Sequence, residues 1–110
     1  MLTEDRIKDL VESLEEALVY ERHRTVDLEN VTANLELEKA KTLAAHEFTG
    51  KNAESRAWEA TALLAEDDNI RCGAGMVQQL TTNLALARVD VECARARIKL
   101  YAAMAQQNHD

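Results

Sequence analysis

The sequence predicts an all-α protein: a long, coiled-coil-like antiparallel helical hairpin that assembles into an oligomeric helical bundle. The 110 residues include no proline and only three glycines, and 30% of the side chains are charged. This composition is typical of long helices rather than of strands and turns. Apolar residues recur at helical spacing in both halves of the chain, and one polar segment near the middle interrupts them. At this length we expect a single helical domain over residues 1–110.

The first helix is predicted to span about residues 3–48. Thr3 can cap its amino end, and the two acidic residues that follow suit the positive end of the helix dipole. Apolar residues then recur at spacings of three and four from Ile7 onward, forming a seam. Glu21 and Arg24 occupy two positions of this seam. They indicate either a local stutter or the looser packing of a helix bundle.

Residues 49–52 are predicted to form the corner of the hairpin. Gly50 suits the positive φ that often ends a helix, and either Thr49 or Asn52 can cap the helix that follows. Glu54 falls in the first turn after the corner, where a negative charge is favourable.

The second helix is predicted to span about residues 53–107. Its heptad pattern remains in phase across residues 72–75, although Gly73 and Gly75 each weaken a helix by about 1 kcal/mol relative to alanine. We therefore expect one long helix, kinked or broken near 72–75, with three helices as the alternative. The predicted seam comprises Leu63, Ile70, Val77, Leu80, Leu84, Ala87, Val91, Ala94, Ile98 and Tyr101.

A second apolar stripe follows the same helix on the face opposite the seam. A helix that is apolar on two faces needs a cover on both. The first helix of the chain can cover one face, and a second copy of the protein is the simplest cover for the other. We therefore predict a homo-oligomer. The stripe comprises Leu86, Val89, Cys93, Ala96 and Leu100.

The net charge of −7 is distributed unevenly. Residues 1–70 carry 17 acidic and 8 basic side chains, whereas residues 71–110 carry 3 acidic and 5 basic ones. The acidic balance disfavours a nucleic-acid-coating protein, which needs a broad basic face. The basic residues of the second helix either contact an anion or pair with acids of the first helix, such as Glu36 and Glu38. These basic residues are Arg88, Arg95, Arg97 and Lys99.

Trp58, near the corner, either closes the end of the bundle or marks a binding spot for a partner. Cys72 and Cys93 form no close pair, so we expect inert, buried or half-buried thiols in a reducing compartment. The sequence has no apolar run long enough for a membrane span and no secretory signal at its acidic start. We therefore expect a cytoplasmic protein that does not associate with membranes.

No arrangement of residues typical of catalysis is visible. The three histidines (His23, His46 and His109) do not fall into a metal-binding pattern, and the acidic run at residues 66–68 is read as a solvated face. Gly73 and Gly75 lack the preceding strand of a phosphate-binding loop. The sequence therefore predicts no enzyme, no catalytic residue, no metal site and no cofactor.

The corner resembles one found in small uncharacterised helical-hairpin proteins of bacteriophages and prophages. The resemblance is carried by Thr49-Gly50-Lys51-Asn52-Ala53-Glu54-Ser55-Arg56 and by the acidic turn that leads into Asn69-Ile70-Arg71. It extends over about residues 36–104. Such proteins are often encoded near recombination or replication functions, so the resemblance implies a phage origin and a host-cell cytoplasmic location. It implies no catalytic residues.

Three functions agree with these observations. The first is an oligomeric accessory factor for phage DNA recombination or replication that binds another protein. The second is an acidic inhibitor of a host defence or nucleic-acid-handling enzyme, whose charge imitates DNA. The third is a single-strand DNA-binding accessory that uses the basic residues of the second helix.

Overall fold

The computed structural model describes residues 4–107, so the predicted cap Thr3 and the third histidine, His109, lie outside the described residues. Three α-helices follow one another: α1 (Glu4–Ala45), α2 (Ala53–Glu66) and α3 (Asp68–Gln107). The described residues contain no strand. The predicted all-α fold is confirmed.

The chain divides into two packed units. The terminal unit comprises residues 4–26 and 82–107, and the corner unit comprises Asp27–Thr81. In the terminal unit Arg88 Nε lies 3.9 Å from Glu21 Oε1, and near the helix ends Ile7 lines a groove together with Tyr101. In this unit α1 and α3 therefore run antiparallel, as a helical hairpin requires.

The heptad seam forms the core. All ten predicted seam residues are buried or half-buried. The most deeply buried are Ala87 and Val91, which are 1% and 2% exposed to solvent. Small alanine side chains at the seam allow the facing helix to approach closely. Residues that are apolar, periodic and inaccessible to water supply the main driving force for pairing these helices.

Two charged residues, Glu21 and Arg24, occupy seam positions in the middle of α1. Glu21 and Arg24 are half-buried, and so is the neighbouring Thr25, whereas Leu18 is 39% exposed. Arg88 lies beside Glu21, and the guanidinium of Arg24 lies 5.0 Å from the centre of the Tyr20 ring. Both charged seam residues therefore lie beside a partner group within the terminal unit.

The second helical segment is interrupted at Asp67 and not at residues 72–75. Asp67 has an extended backbone (φ −79°, ψ 116°), and its carboxylate accepts a hydrogen bond of 3.0 Å from the Ile70 amide. This is the geometry of an N-cap, for which aspartate is among the preferred residues. The predicted break near Gly73 and Gly75 is therefore wrong, since α3 continues through both glycines.

Gly73 serves packing in the corner unit. A Cβ atom added there would lie 2.9 Å from Leu35 Cδ1, and Leu35 is the one buried residue of α1. A Cβ atom added at Gly75 would meet nothing within 4 Å. The two glycines thus differ: the first makes room for the facing leucine, and the second leaves a helix position without a side chain.

Candidate protein-binding surfaces

The apolar stripe of α3 lies on the surface of the terminal unit. Leu86, Val89 and Leu100 are 60%, 55% and 63% exposed, and Cys93 and Ala96 are exposed between them. Leu84, two residues from Leu86 on the same helix, is only 5% exposed. The two apolar faces predicted for this helix are therefore both present. Within one copy only the seam is covered.

Three of the four basic residues predicted as anion contacts share one side of α3, but two of these three lie beside carboxylates. Arg88 lies next to Glu21, and Arg95 Nη1 lies 2.9 Å from Glu92 Oε1 on the same helix. Lys99 is exposed on the same side of the helix as Arg88 and Arg95, whereas Arg97 is exposed on the opposite side. Because carboxylates lie beside both Arg88 and Arg95, this arrangement does not favour a continuous phosphate-binding track.

The predicted pairing with acids of the first helix is found for Arg88, which lies beside Glu21, whereas the examples Glu36 and Glu38 have other neighbours. Each of these glutamates lies near a lysine on its own helix: Lys39 Nζ is 3.4 Å from Glu36 Oε1, and Lys41 Nζ is 3.9 Å from Glu38 Oε1. Such pairs form at the i, i+3 spacing without tertiary contact.

An acidic patch covers part of α1 in the terminal unit. Glu12, Glu15 and Glu16 line a shallow surface depression together with Val19 and Tyr20. Val19 is 56% exposed and Tyr20 is 49% exposed, so the patch combines negative charge with accessible apolar surface. A surface of this kind suits a partner that presents basic and aromatic groups.

Trp58 is the most exposed large apolar side chain of the described residues, at 74%. It lies on α2 beside the helix start, where it borders a shallow depression with Asn52, Glu54 and Ser55. The prediction that Trp58 closes the bundle end is therefore wrong, and the partner-binding interpretation remains. Tryptophan is enriched among residues that dominate binding energy when a partner covers them.

The corner is organised around Glu59, a residue that the sequence analysis did not single out. Its carboxylate accepts hydrogen bonds of 3.1 Å from the backbone amides of Thr49 and Gly50 and of 3.0 Å from Thr49 Oγ1. His46 Nε2 donates a further bond of 2.7 Å. The His46 ring also packs edge-on against Phe48, with centroids 4.9 Å apart. One carboxylate thus accepts hydrogen bonds from two backbone amides and two side chains of the turn.

These hydrogen bonds affect the ionisation of Glu59. The bond from His46 is the largest influence that holds the pKa of the Glu59 carboxyl below its usual value, and the bonds from Thr49 and Gly50 act in the same direction. Partial burial opposes them. Donors aimed at a carboxylate favour its charged form, so the corner is built for an ionised Glu59.

Asn52 begins α2 through a capping box. Its Oδ1 accepts a 2.8 Å hydrogen bond from the Ser55 amide, and Ser55 Oγ accepts a 3.3 Å bond from the Asn52 amide. Of the two caps that the sequence allowed, the structure uses Asn52, and Glu54 lies in the first turn as expected. This reciprocal pair satisfies two amides that would otherwise lack partners.

Gly50 has a negative φ, so the predicted left-handed conformation is wrong. A Cβ atom at this position would lie 2.9 Å from the Arg56 amide nitrogen and 3.0 Å from the Ser55 carbonyl carbon. Gly50 is thus required by a close approach of backbone to backbone. α1 ends at Ala45, three residues earlier than predicted, because residues 46–50 turn toward the Glu59 carboxylate instead.

Both cysteines are exposed, so the expectation of buried or half-buried thiols is wrong. Cys93 lies in the stripe, and Cys72 lies on the outer side of α3 in the corner unit. Across residues 4–107, no three histidine, cysteine or acidic side chains come together as a metal site would require. Nor does any helix in that range have the length and apolar content of a membrane span.

Comparison of the chain with protein-family models, curated proteins and solved structures finds no match. The functional argument therefore depends on the surfaces themselves. Of the predicted site residues, the structure brings the seam together in the interior and leaves the stripe and Trp58 accessible. The described residues that organise the corner, Glu59 and His46, are too far apart in sequence for a local pattern to reveal them.

Proposed function

We propose that this protein is a non-enzymatic, homo-oligomeric helical protein that acts by binding other proteins. The observation that supports this is the apolar stripe of α3, which is regular, continuous and exposed on the face opposite a seam of the same spacing. Exposed apolar surface in a contiguous strip typically marks an interaction site. A second copy is the simplest cover, since every molecule carries the same stripe.

The phage setting is part of the proposal and comes from the resemblance at the corner. In that setting the protein is an accessory factor for DNA recombination or replication in the host cytoplasm. Trp58 and the acidic patch of α1 are exposed and do not belong to the stripe. These two surfaces are where we expect a different protein to bind.

Light scattering coupled to gel filtration tests the self-association. We expect the wild-type mass to exceed that of the 12.3 kDa monomer and to rise with concentration. Changing Leu86 and Leu100 together to serine is expected to shift the protein to monomer while retaining its helix content. The matched control changes Val19 and Leu37 to serine. These side chains are 56% and 53% exposed and lie outside the stripe, so this variant is expected to have the same mass as wild type. A wild-type protein that is monomeric at every concentration would contradict the proposal.

Affinity capture from a host lysate tests the partner. Replacing Trp58 by alanine is expected to reduce capture of a specific protein without changing the oligomeric state, because the side chain is exposed at the corner. Recovery of a recombination or replication protein would support the accessory role. Equal capture by wild type and variant would exclude Trp58 as the contact.

The acidic patch supports a second candidate function, inhibition of a host nucleic-acid-handling or defence enzyme. Three exposed glutamates on one face of α1 present charge that a nucleic-acid-binding cleft would attract. Replacing Glu12, Glu15 and Glu16 by glutamine is expected to abolish inhibition of such an enzyme if this candidate is correct. An electrophoretic shift assay over a salt series addresses direct single-strand DNA binding, which is not favoured where Arg88 and Arg95 already lie beside carboxylates.

A further inference from the structure

Charged residues flank the exposed stripe of α3 in a repeating order. Asp90 and Arg97 lie along one side of the stripe, and Glu92 and Lys99 lie along the other. All four are exposed, and on each side an acid is followed seven residues later by a base. The apolar stripe alone does not specify which molecule covers it, whereas the order of the flanking charges restricts the choice.

The stripe has the spacing of a coiled-coil seam. Its residues alternate at intervals of three and four, so Leu86, Cys93 and Leu100 correspond to one seam position and Val89 and Ala96 to the other. The flanking charges then occupy the two positions that border such a seam, where side chains meet their counterparts on a facing helix.

Pairing two copies of this helix in opposite directions matches every flanking charge. In antiparallel coiled-coil geometry each flank faces the same flank of the second copy. Asp90 therefore meets Arg97 of the second copy, and Glu92 meets its Lys99. Two-fold symmetry repeats both contacts, which gives four attractive pairs and no repulsive one. The same register places Cys93 opposite Ala96 and Val89 opposite Leu100.

Pairing in the same direction matches fewer charges. Glu92 would then face Arg97 of the second copy, whereas Asp90 would face Ala85 and Lys99 would face Met104. Each exposed pair contributes only about 0–1 kcal/mol, so the charges do not supply the bulk of the affinity. They select the direction, and the apolar layers provide the association.

The helix is already fixed before it meets a second copy. Its opposite face is held in the seam of the terminal unit, where Leu84, Ala87 and Val91 are buried. Association therefore requires no folding of α3, which lowers its entropic cost. Among the ion pairs of residues 4–107 none involves Arg97 or Lys99, and the pair between Arg95 and Glu92 leaves the second oxygen of Glu92 available.

We propose that two copies of this protein associate through an antiparallel contact between their α3 stripes, with Cys93 of each copy facing Ala96 of the other. This inference depends on the proposed function, because it specifies how the self-association occurs.

Disulfide exchange between two single-cysteine proteins tests the direction. One protein carries Cys72→Ser and keeps Cys93; the other carries Cys72→Ser, Cys93→Ala and Ala96→Cys, with an affinity tag for distinction by mass. After the proteins are mixed and equilibrated in a glutathione buffer, we expect the mixed disulfide to exceed the statistical half of all dimers. A deficit of the mixed species, with each protein linked to itself, would overturn the antiparallel assignment in favour of a parallel one.

Charge exchange provides an independent test by light scattering at low salt. Either Asp90→Arg or Arg97→Glu alone is expected to weaken association about tenfold, because each creates two repulsive contacts by symmetry. Combining both substitutions is expected to restore it. The control Glu29→Lys, at an exposed site on α1, should have no effect. In a parallel dimer Asp90→Arg would have little effect and the combination would not restore association.

The outcomes separate this inference from the proposed function. A wild-type protein that never associates contradicts both. A protein that associates but gives a deficit of the mixed disulfide, or no restoration by the combined charge exchange, contradicts only the antiparallel contact.

Discussion

The seam of the terminal unit and the corner at residues 46–59 fix the chain in different ways. The seam contains side chains such as Val91 and Ala94, which are 2% and 5% exposed and have no polar atoms beyond the backbone. At the corner, a single partly exposed carboxylate accepts hydrogen bonds from His46, Thr49 and Gly50. Packing therefore holds one region, and directed hydrogen bonds hold the other.

This difference predicts how each region responds to perturbation. Apolar burial has little dependence on pH and is lost in proportion to the volume removed. Hydrogen bonds to a carboxylate depend on its charge and on the position of each donor. Substitutions in the seam should therefore affect global stability, whereas those at the corner should act locally and with pH.

The largest effect is expected for Leu84→Ala. This side chain is 5% exposed in the seam, so removing it leaves a cavity and is expected to lower the free energy of unfolding by about 2–5 kcal/mol. The matched control is Leu86→Ala on the same helix, where the side chain is 60% exposed and the change should remain within about 0.5 kcal/mol. Denaturant unfolding at low protein concentration measures both. Equal losses would contradict the assignment of the two faces.

At the corner the strongest effect is expected for Glu59→Gln. The folded-state pKa of Glu59 is lowered from its ordinary value of 4.5. The ionised carboxylate therefore stabilises the fold at pH values above 4.5. That stabilisation is lost as the pH falls from 4.5 through the lowered pKa. The difference in unfolding free energy between wild type and variant should therefore shrink over this range.

The control for this titration is Glu47→Gln, an exposed glutamate next to the corner. Its difference from wild type should not follow the same pH profile. Hydrogen exchange of the Thr49 and Gly50 amides provides a local measurement, and both should exchange faster in the Glu59 variant. A difference for Glu59→Gln that is constant with pH would contradict the proposed role of its charge.

The sequence predicted the seam well and the corner only in outline, for a physical reason. Burial in a helix pair repeats with the helical period, so the heptad from Ile70 to Ile98 identifies the buried face directly. Glu21 is half-buried at a seam position of α1, and Arg88 of the facing helix lies 3.9 Å from its carboxylate.

The features that the sequence analysis missed depend on contacts between residues distant in the chain. Glu59 reaches Thr49 only after the chain has turned and begun a new helix. From the sequence, Gly73 is expected only to weaken the helix, whereas its role in packing depends on Leu35, which lies on a different helix. The sequence does not reveal the helix break at Asp67, because an aspartate inside an acidic run is typical of a solvated face, whereas the structure shows its carboxylate accepting a hydrogen bond from the Ile70 amide.

A smaller effect is expected for Asn52→Ala, which removes the side-chain oxygen that caps α2. Loss of such a cap typically costs about 1 kcal/mol, and the Ser55 amide would then need water as its partner. Asn34→Ala provides a control in the middle of α1, where alanine should be neutral or slightly stabilising. In denaturant unfolding, we expect the midpoint of Asn52→Ala to lie below the wild-type value and that of Asn34→Ala to lie at or slightly above it. A midpoint for Asn52→Ala at or above wild type would show that the capping box contributes nothing.

The smallest effects on stability are expected at the two glycines of α3, which differ in how closely another helix approaches the backbone. Gly75→Ala should raise the free energy of unfolding by up to about 1 kcal/mol, because the position is helical and a Cβ atom meets nothing within 4 Å. Gly73→Ala gains the same helix propensity but brings its Cβ to 2.9 Å from Leu35 Cδ1, so Leu35 must shift from its buried position. We therefore expect Gly73→Ala to be less stable than Gly75→Ala in thermal unfolding. Equal stabilisation by the two substitutions would mean that Leu35 moves aside freely and that close packing contributes little to the corner unit.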